Sequence, residues 1–125
     1  MTALPPAALA SALKLFTAGF VVADKRDQIV KRLATRERRD ETLGTLARWI
    51  TGITAPLAGA DQSPAGLRAR FGELVGIYLD DAGAQRMSIA DALVAGRGKR
   101  SLFVSDNGRL AMLTSDAAPT LLCQR

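Results

Sequence analysis

Residues 101–114 read SLFVSDNGRLAMLT. Short apolar runs, each closed by small polar residues, stand on both sides of Asn107-Gly108. Asn-Gly is the dipeptide that most cheaply supplies the positive φ needed at both centres of a two-residue hairpin turn. The stretch therefore predicts a β-hairpin with Asp106 opposite Arg109, Ser105 opposite Leu110, Val104 opposite Ala111, Phe103 opposite Met112 and Leu102 opposite Leu113. A slip of one residue would send every side chain to the other face, so the register is a strong commitment. Leu102, Val104, Ala111 and Leu113 share the face expected to be core. The other face mixes Ser101, Phe103, Ser105, Leu110, Met112 and Thr114, and its apolar members call for partial cover.

Upstream, Leu74–Leu79 (LVGIYL) reads as a buried strand, rich in branched and aromatic residues. The DDAG that follows turns the chain. Ser88 with Asp91 forms a capping-box variant for a short helix through Val94, ended by Gly96. Leu121–Cys123 supplies a last short strand. Ser63-Pro64 starts another helix, with Leu67, Phe71 and Leu74 on one side.

The first half has helical spacing. Leu9, Leu13, Phe16 and Phe20 recur on one helical face, and Pro5 and Pro6 are tolerated at its start. Asp24 is expected to cap a second helix through about Ala34, bearing Ile29, Val30 and Leu33. Thr35 is expected to cap a third, where Arg39, Leu43, Leu46, Trp49, Ile50 and Ile53 follow helical spacing with Arg39 at the wet edge. The fold class is α+β: about three N-terminal helices packed with a small, mainly antiparallel sheet of three or four strands. The 125 residues are expected to form a single domain, with a helical region over residues 1–53, a joint over residues 54–64 and an α+β region over residues 65–125.

Two segments carry a resemblance: FVVADKRDQIVKRLATRERRDETLGTL, and MSIADAL followed by a loop and SLFVSDNGRLAML. Together they resemble small bacterial proteins of unknown function. The resemblance implies a helical N-terminal region followed by a small α+β module ending in the hairpin, and it implies no activity, cofactor or site residue.

Several chemistries are closed by composition. The chain has no histidine and one cysteine, which rules out serine triads, cysteine–histidine pairs, histidine metal sites and an intramolecular disulfide. Cys123, beside Leu121 and Leu122, reads as a small packed residue, and a lone thiol suits a reducing cytoplasm. Asp80 and Asp81 follow a strand and could hold a hard cation such as magnesium, but a hydrated turn is the preferred reading. Glu73, Asp91 and Asp106 are the only other carboxylates considered as helpers. AGRGKR lacks the Walker spacing. No cofactor, metal or small-molecule substrate is expected. The apolar stretch 3–22 is broken by Pro5-Pro6 and Lys14, so it reads as an amphipathic helix and not as a signal peptide or an integral membrane segment.

Charge remains. Lys plus Arg is 17 and Asp plus Glu is 12, a net +5. Lys25, Arg26, Lys31, Arg32, Arg36, Arg38 and Arg39 cluster in KRDQIVKRLATRERR. Their own neighbours offset some of this: Asp24 and Asp27 open the second helix, Asp27 and Lys31 have the favourable i,i+4 order worth about 0.2–0.5 kcal/mol, and Arg36 is placed to pair with Asp40. The expected function is that of a non-catalytic, small cytoplasmic interaction or regulatory protein, acting through a protein–protein surface with a protein partner or as a homo-oligomer. The alternative is a nucleic-acid-binding accessory protein. In that reading the second and third helices form a helix-turn-helix, the hairpin serves as a wing, and contacts come from the basic helices 25–39. Candidate contacts for nucleic acid or another anion are Lys25, Arg32, Arg36, Arg38 and Arg39, with Arg97, Lys99 and Arg100 on the later RGKR loop.

Overall fold

In the computed structural model, which describes residues 4–125, Pro6 opens α1 (Pro6–Phe20) at a position where its missing N–H costs nothing. Ala3, the first residue of the apolar stretch, lies outside the described residues. Leu9, Leu13, Phe16 and Phe20 are all buried, and the Phe16 and Phe20 rings stack at 5.8 Å. A 3-10 turn (Ala23–Lys25) leads into α2 (Arg26–Ala34). Thr35 then separates it from α3 (Arg36–Thr45). The chain continues through β1 (Ile53–Pro56), α4 (Pro64–Phe71), β2 (Val75–Asp80), β3 (Gly83–Ser88), α5 (Ile89–Ala95), β4 (Ser101–Ser105), β5 (Leu110–Thr114) and β6 (Leu121–Gln124). The six strands form one antiparallel sheet in the order β1-β6-β5-β4-β2-β3.

The sheet is the middle layer. Leu79, Ala84, Leu102, Val104, Ala111, Leu113 and Cys123 pack against α1, α2 and α3. Tyr78, Met87, Phe103, Leu110, Met112 and Leu122 point the other way, onto Leu67 of α4 and Ile89, Ala90, Ala92 and Leu93 of α5. Strict alternation sorts each strand between the two cores. The face expected to need only partial cover is thus fully covered, and every residue of β4 and β5 is buried.

Several expectations are corrected. The sheet has six strands, not three or four. A stretch of the expected joint, residues 54–56, belongs to β1, paired through Thr54↔Cys123 and Ala55↔Leu122. Gly83–Ser88 continues past the DDAG turn as an edge strand on β2, although GAQRMS carries little intrinsic strand preference; pairing decides it. The third helix stops at Thr45 and gives way to a 3-10 turn (Leu46–Trp49), while Ile53 opens β1. Asp24 lies inside a 3-10 turn and makes no side-chain cap. The Thr35 hydroxyl donates back to the Lys31 carbonyl at 2.9 Å instead of capping α3. Ser63 Oγ does accept from Gly66 N–H (3.0 Å), and Ser88 Oγ accepts from Asp91 N–H (3.2 Å).

The link between β4 and β5 is also not the two-residue turn expected. The strands pair through Leu102↔Leu113 and Val104↔Ala111, and a four-residue loop, Asp106–Arg109, joins them. Among the described residues only glycines have positive φ. Gly108 is at 70°, and its N–H donates to the Ser105 carbonyl at 2.9 Å. Asn107 stays at negative φ because its Oδ1 accepts from the Arg109 N–H (3.0 Å) and the Ser105 hydroxyl (2.6 Å), a local turn built by the side chain. Gly76 is required for a different reason. A β-carbon there would stand 2.0 Å from the Val104 carbonyl oxygen, so the close approach of β2 to β4 depends on its absence.

Arg39 is the largest departure. It is 6% exposed, not at a wet edge. Its Nε donates to the Leu33 carbonyl at 2.7 Å, one Nη reaches Ala34 O at 3.5 Å and the other reaches Asp80 O at 3.2 Å. Leu33 and Ala34 end α2, where carbonyls lack intrahelical partners and the helix end favours a cation. Asp80 ends β2. One guanidinium therefore ties the helical layer to the sheet. Charge-assisted hydrogen bonds of this kind contribute about 1.5–3 kcal/mol, and leaving buried carbonyls unpaired costs more than the bond returns. Arg39→Met is expected to lower unfolding free energy by about 2–4 kcal/mol, whereas Arg38→Met, at an exposed site, stays within about 0.5 kcal/mol. Equilibrium urea unfolding of the two variants checks this, and equal small losses would remove Arg39 from its structural role.

Candidate anion-binding groove

Folding sorts the candidate cations. Arg39 is consumed by carbonyls, and its guanidinium pKa is lowered, first by burial and then by the like charge of Arg36. Lys25 lies over the Trp49 ring, 4.8 Å from its centroid. Arg26 Nε donates to the Val21 carbonyl at 3.0 Å. On the RGKR loop, Lys99 Nζ stands 3.9 Å from Asp80 Oδ2, and Arg100 reaches both Asp40 (3.3 Å) and Asp116 (3.2 Å). Arg97 is exposed on that loop. Among the described residues Arg97, Lys31, Arg32, Arg36 and Arg38 make no ion pair.

Two of the expected local pairs do not form. Asp27 and Lys31 are not bridged. Asp40 is drawn across to Arg100, which lies sixty residues on, instead of to Arg36. A partly sheltered guanidinium that two carboxylates share is a better partner than a mobile exposed one on the same helix.

Three of these unpaired cations, Lys31, Arg32 and Arg38, converge. Gln28, Lys31 and Arg32 recur at i, i+3 and i+4 and so share one face of α2, and Thr35 follows at its C-terminal end. Arg38, from the first turn of α3, closes the other side. These five residues line a groove of about 280 Å³. Arg36 stands beside it, exposed. Asp24, Asp27, Glu37 and Glu41 are carried by the same two helices and the turn before them, and none of them lines the groove. Of the candidate arginines at the α3 end of the stretch, Arg36, Arg38 and Arg39, only Arg38 lines the groove. Gln28 and Thr35 were not among the expected contacts; their spacing with Lys31 and Arg32 was the available signal.

A second polar cluster sits at the end of β2. The Tyr78 hydroxyl donates to Asp80 Oδ2 at 2.7 Å, with the Ala95 carbonyl 3.1 Å away. Asp80 Oδ1 accepts from the N–H groups of Ala82 (2.9 Å) and Gly83 (3.2 Å) and so shapes the β2–β3 turn. Nearby, the Ser101 hydroxyl bonds to that of Thr114, which donates to the Lys99 carbonyl at 2.9 Å. Tyr78, Asp80, Met87, Ala95 and Lys99 border a cleft of about 300 Å³. Both Asp80 oxygens are already engaged, and Asp81 is exposed outside this network. Among the described residues no group of three metal-ligating side chains is brought together. Glu73 and Asp91 bridge to Arg68, and Asp106 to Arg86.

Burial raises the Tyr78 phenol above its ordinary value of 10.0, helped by its hydrogen bond to Asp80 and by that carboxylate's charge. Cys123, buried, has its thiol raised as well. Tyr78 holds its proton in the native state beyond the point where the unfolded chain releases it, so native protein binds more protons and stability falls as pH rises above about 10. Because Tyr78 is the only tyrosine, tyrosinate absorbance is expected to lag behind free tyrosine in an alkaline titration and to appear together with unfolding. Tyr78→Phe should flatten the loss of stability above that pH. A phenol that titrates normally in folded protein would contradict the network.

No family model, characterised protein or solved structure matches this chain. No helix among the described residues is long and apolar enough to cross a membrane.

Proposed function

We propose that this chain is a small, non-catalytic interaction protein of regulatory kind in the cytoplasm, working through a protein–protein surface, and that the surface is the α2–α3 face. One observation carries the reading. Three cations that make no ion pair, Lys31, Arg32 and Arg38, surround one groove. The buried polar groups support it from the other side. Arg39, Tyr78, Asp80, Ser101 and Thr114 are each engaged in holding elements together, and among the described residues no buried side-chain nitrogen or oxygen lacks a partner.

The partner is acidic by charge complementarity, which sets register and association rate at such surfaces. Protein is favoured over nucleic acid for two reasons. Arg39 cannot reach a base edge from its buried site. The β4–β5 pair cannot serve as a wing because both strands lie inside the sheet and are buried on both faces.

The test is fluorescence anisotropy with a labelled glutamate-rich peptide and a labelled duplex DNA, alongside sedimentation velocity. The peptide is expected to bind, and the variant Lys31→Glu, Arg32→Glu, Arg38→Glu is expected to lose it. Duplex retention that falls steeply with salt, without peptide binding, would replace this reading by nucleic-acid binding. A clean monomer that binds neither probe would end it.

A further inference from the structure

The α2–α3 groove has a narrower chemistry than a general basic face. Its positive charge is focal. Lys31, Arg32 and Arg38 surround a space of about 280 Å³, while Asp24 and Asp27 stand at the start of α2 and Glu37 and Glu41 along α3. None of those carboxylates lines the groove, so a compact dianion can meet the three cations through groove residues alone.

The donors fit such a group. A phosphoryl monoester carries roughly −1.5 to −2 charge at neutral pH and three strong acceptor oxygens. The groove offers one ammonium and two guanidinium forks, the geometry that favours multidentate contact with phosphate. Gln28 adds an amide. The Thr35 hydroxyl is turned away to the Lys31 carbonyl, which leaves the first turn of α3 without a side-chain acceptor. The crowding of Arg36 on Arg39 adds positive potential close by. Arg39 pins the end of α2 to both α3 and β2, which sets the two helices that carry these side chains against each other.

We propose that the groove formed by Gln28, Lys31, Arg32, Thr35 and Arg38 binds the phosphoryl group of a phosphorylated segment of a partner protein. The proposal rests on the interaction reading above and names the partner's recognition mark. Recognition of phosphorylated segments by arginine-rich clusters is a recurring mode of peptide binding.

The experiment is a titration of isotope-labelled protein, followed through backbone amide signals. The probes are a phosphoserine peptide pool with randomised flanks, matched serine and glutamate pools, and inorganic phosphate. The phosphoserine pool is expected to shift signals of residues 28–38 and to bind at least about tenfold more tightly than the glutamate pool. Lys31→Gln, Arg32→Gln and Arg38→Gln together should remove the difference. Arg97→Gln, at an exposed cation outside the groove, should leave it intact. Thermal melts check that each variant is folded, and Arg38→Gln alone provides a milder second variant. Equal binding of the glutamate pool would overturn the phosphoryl assignment while leaving an acidic protein partner in place. Inorganic phosphate binding as tightly as the phosphoserine pool would overturn the protein source. Shifts confined to another surface, or retention by the triple variant, would overturn the site. No binding by any pool would overturn the proposal together with the acidic-partner reading.

Discussion

A single guanidinium holds the two halves of this molecule in register. Arg39 lies where α2 ends, α3 begins and β2 finishes, and it donates to a carbonyl from each of the elements it joins other than its own helix. The carbonyl it takes from the sheet belongs to Asp80. The same residue's carboxylate shapes the β2–β3 turn and accepts from the Tyr78 hydroxyl. The helical layer, the edge hairpin and the base of the second core therefore share one polar junction. Such an arrangement costs desolvation, which is offset because each guanidinium nitrogen of Arg39 and both Asp80 carboxylate oxygens have a hydrogen-bond partner. Its consequence for the surface is direct, since the angle between α2 and α3 decides whether Arg38 faces Lys31 and Arg32 or points elsewhere.

Competition for carboxylates shaped that surface as much as packing did. Local pairing along a helix is weak, about 0.2–0.5 kcal/mol, and yields readily to a partner brought in by tertiary structure. Arg100 takes Asp40, with Asp116 completing the arrangement, and Lys99 stands near Asp80. Lys99 and Arg100 of the RGKR loop are in this way compensated, while Lys31, Arg32 and Arg38 on the α2–α3 face make no ion pair. A basic stretch that looked partly self-neutralised in sequence becomes, after folding, a smaller but less compensated cluster. That shift turns a broad basic stretch into a groove lined by three cations.

The class of fold, a mixture of helices with an antiparallel sheet, was legible from periodicity. So were the buried stripe Leu9, Leu13, Phe16 and Phe20, the caps at Ser63 and Ser88, and the burial of Cys123. These features depend on residues within a few positions of one another. The edge strands β1 and β3 were not legible. Neither TAP nor GAQRMS has the composition of a strand, and each is extended because a neighbour, β6 or β2, offers it a ladder. Arg39 was misread because a charged side chain defaults to solvent. Its place in the stripe with Leu43 and Leu46 was the one sign of the contrary.

The amino-acid sequence by itself determined the chemistry available to this protein. It excluded histidine and disulfide chemistry, set where helices start, set which strand residues face together, and supplied a surplus of cations in one short stretch. Only the tertiary structure decided which of those cations remain free. The reason is physical. A hydrophobic period of two or three to four residues is a local property, but a charge is neutralised by whatever lies within a few ångströms of it. The carbonyls that hold Arg39 and the carboxylates that hold Arg100 come from segments between five and sixty residues away.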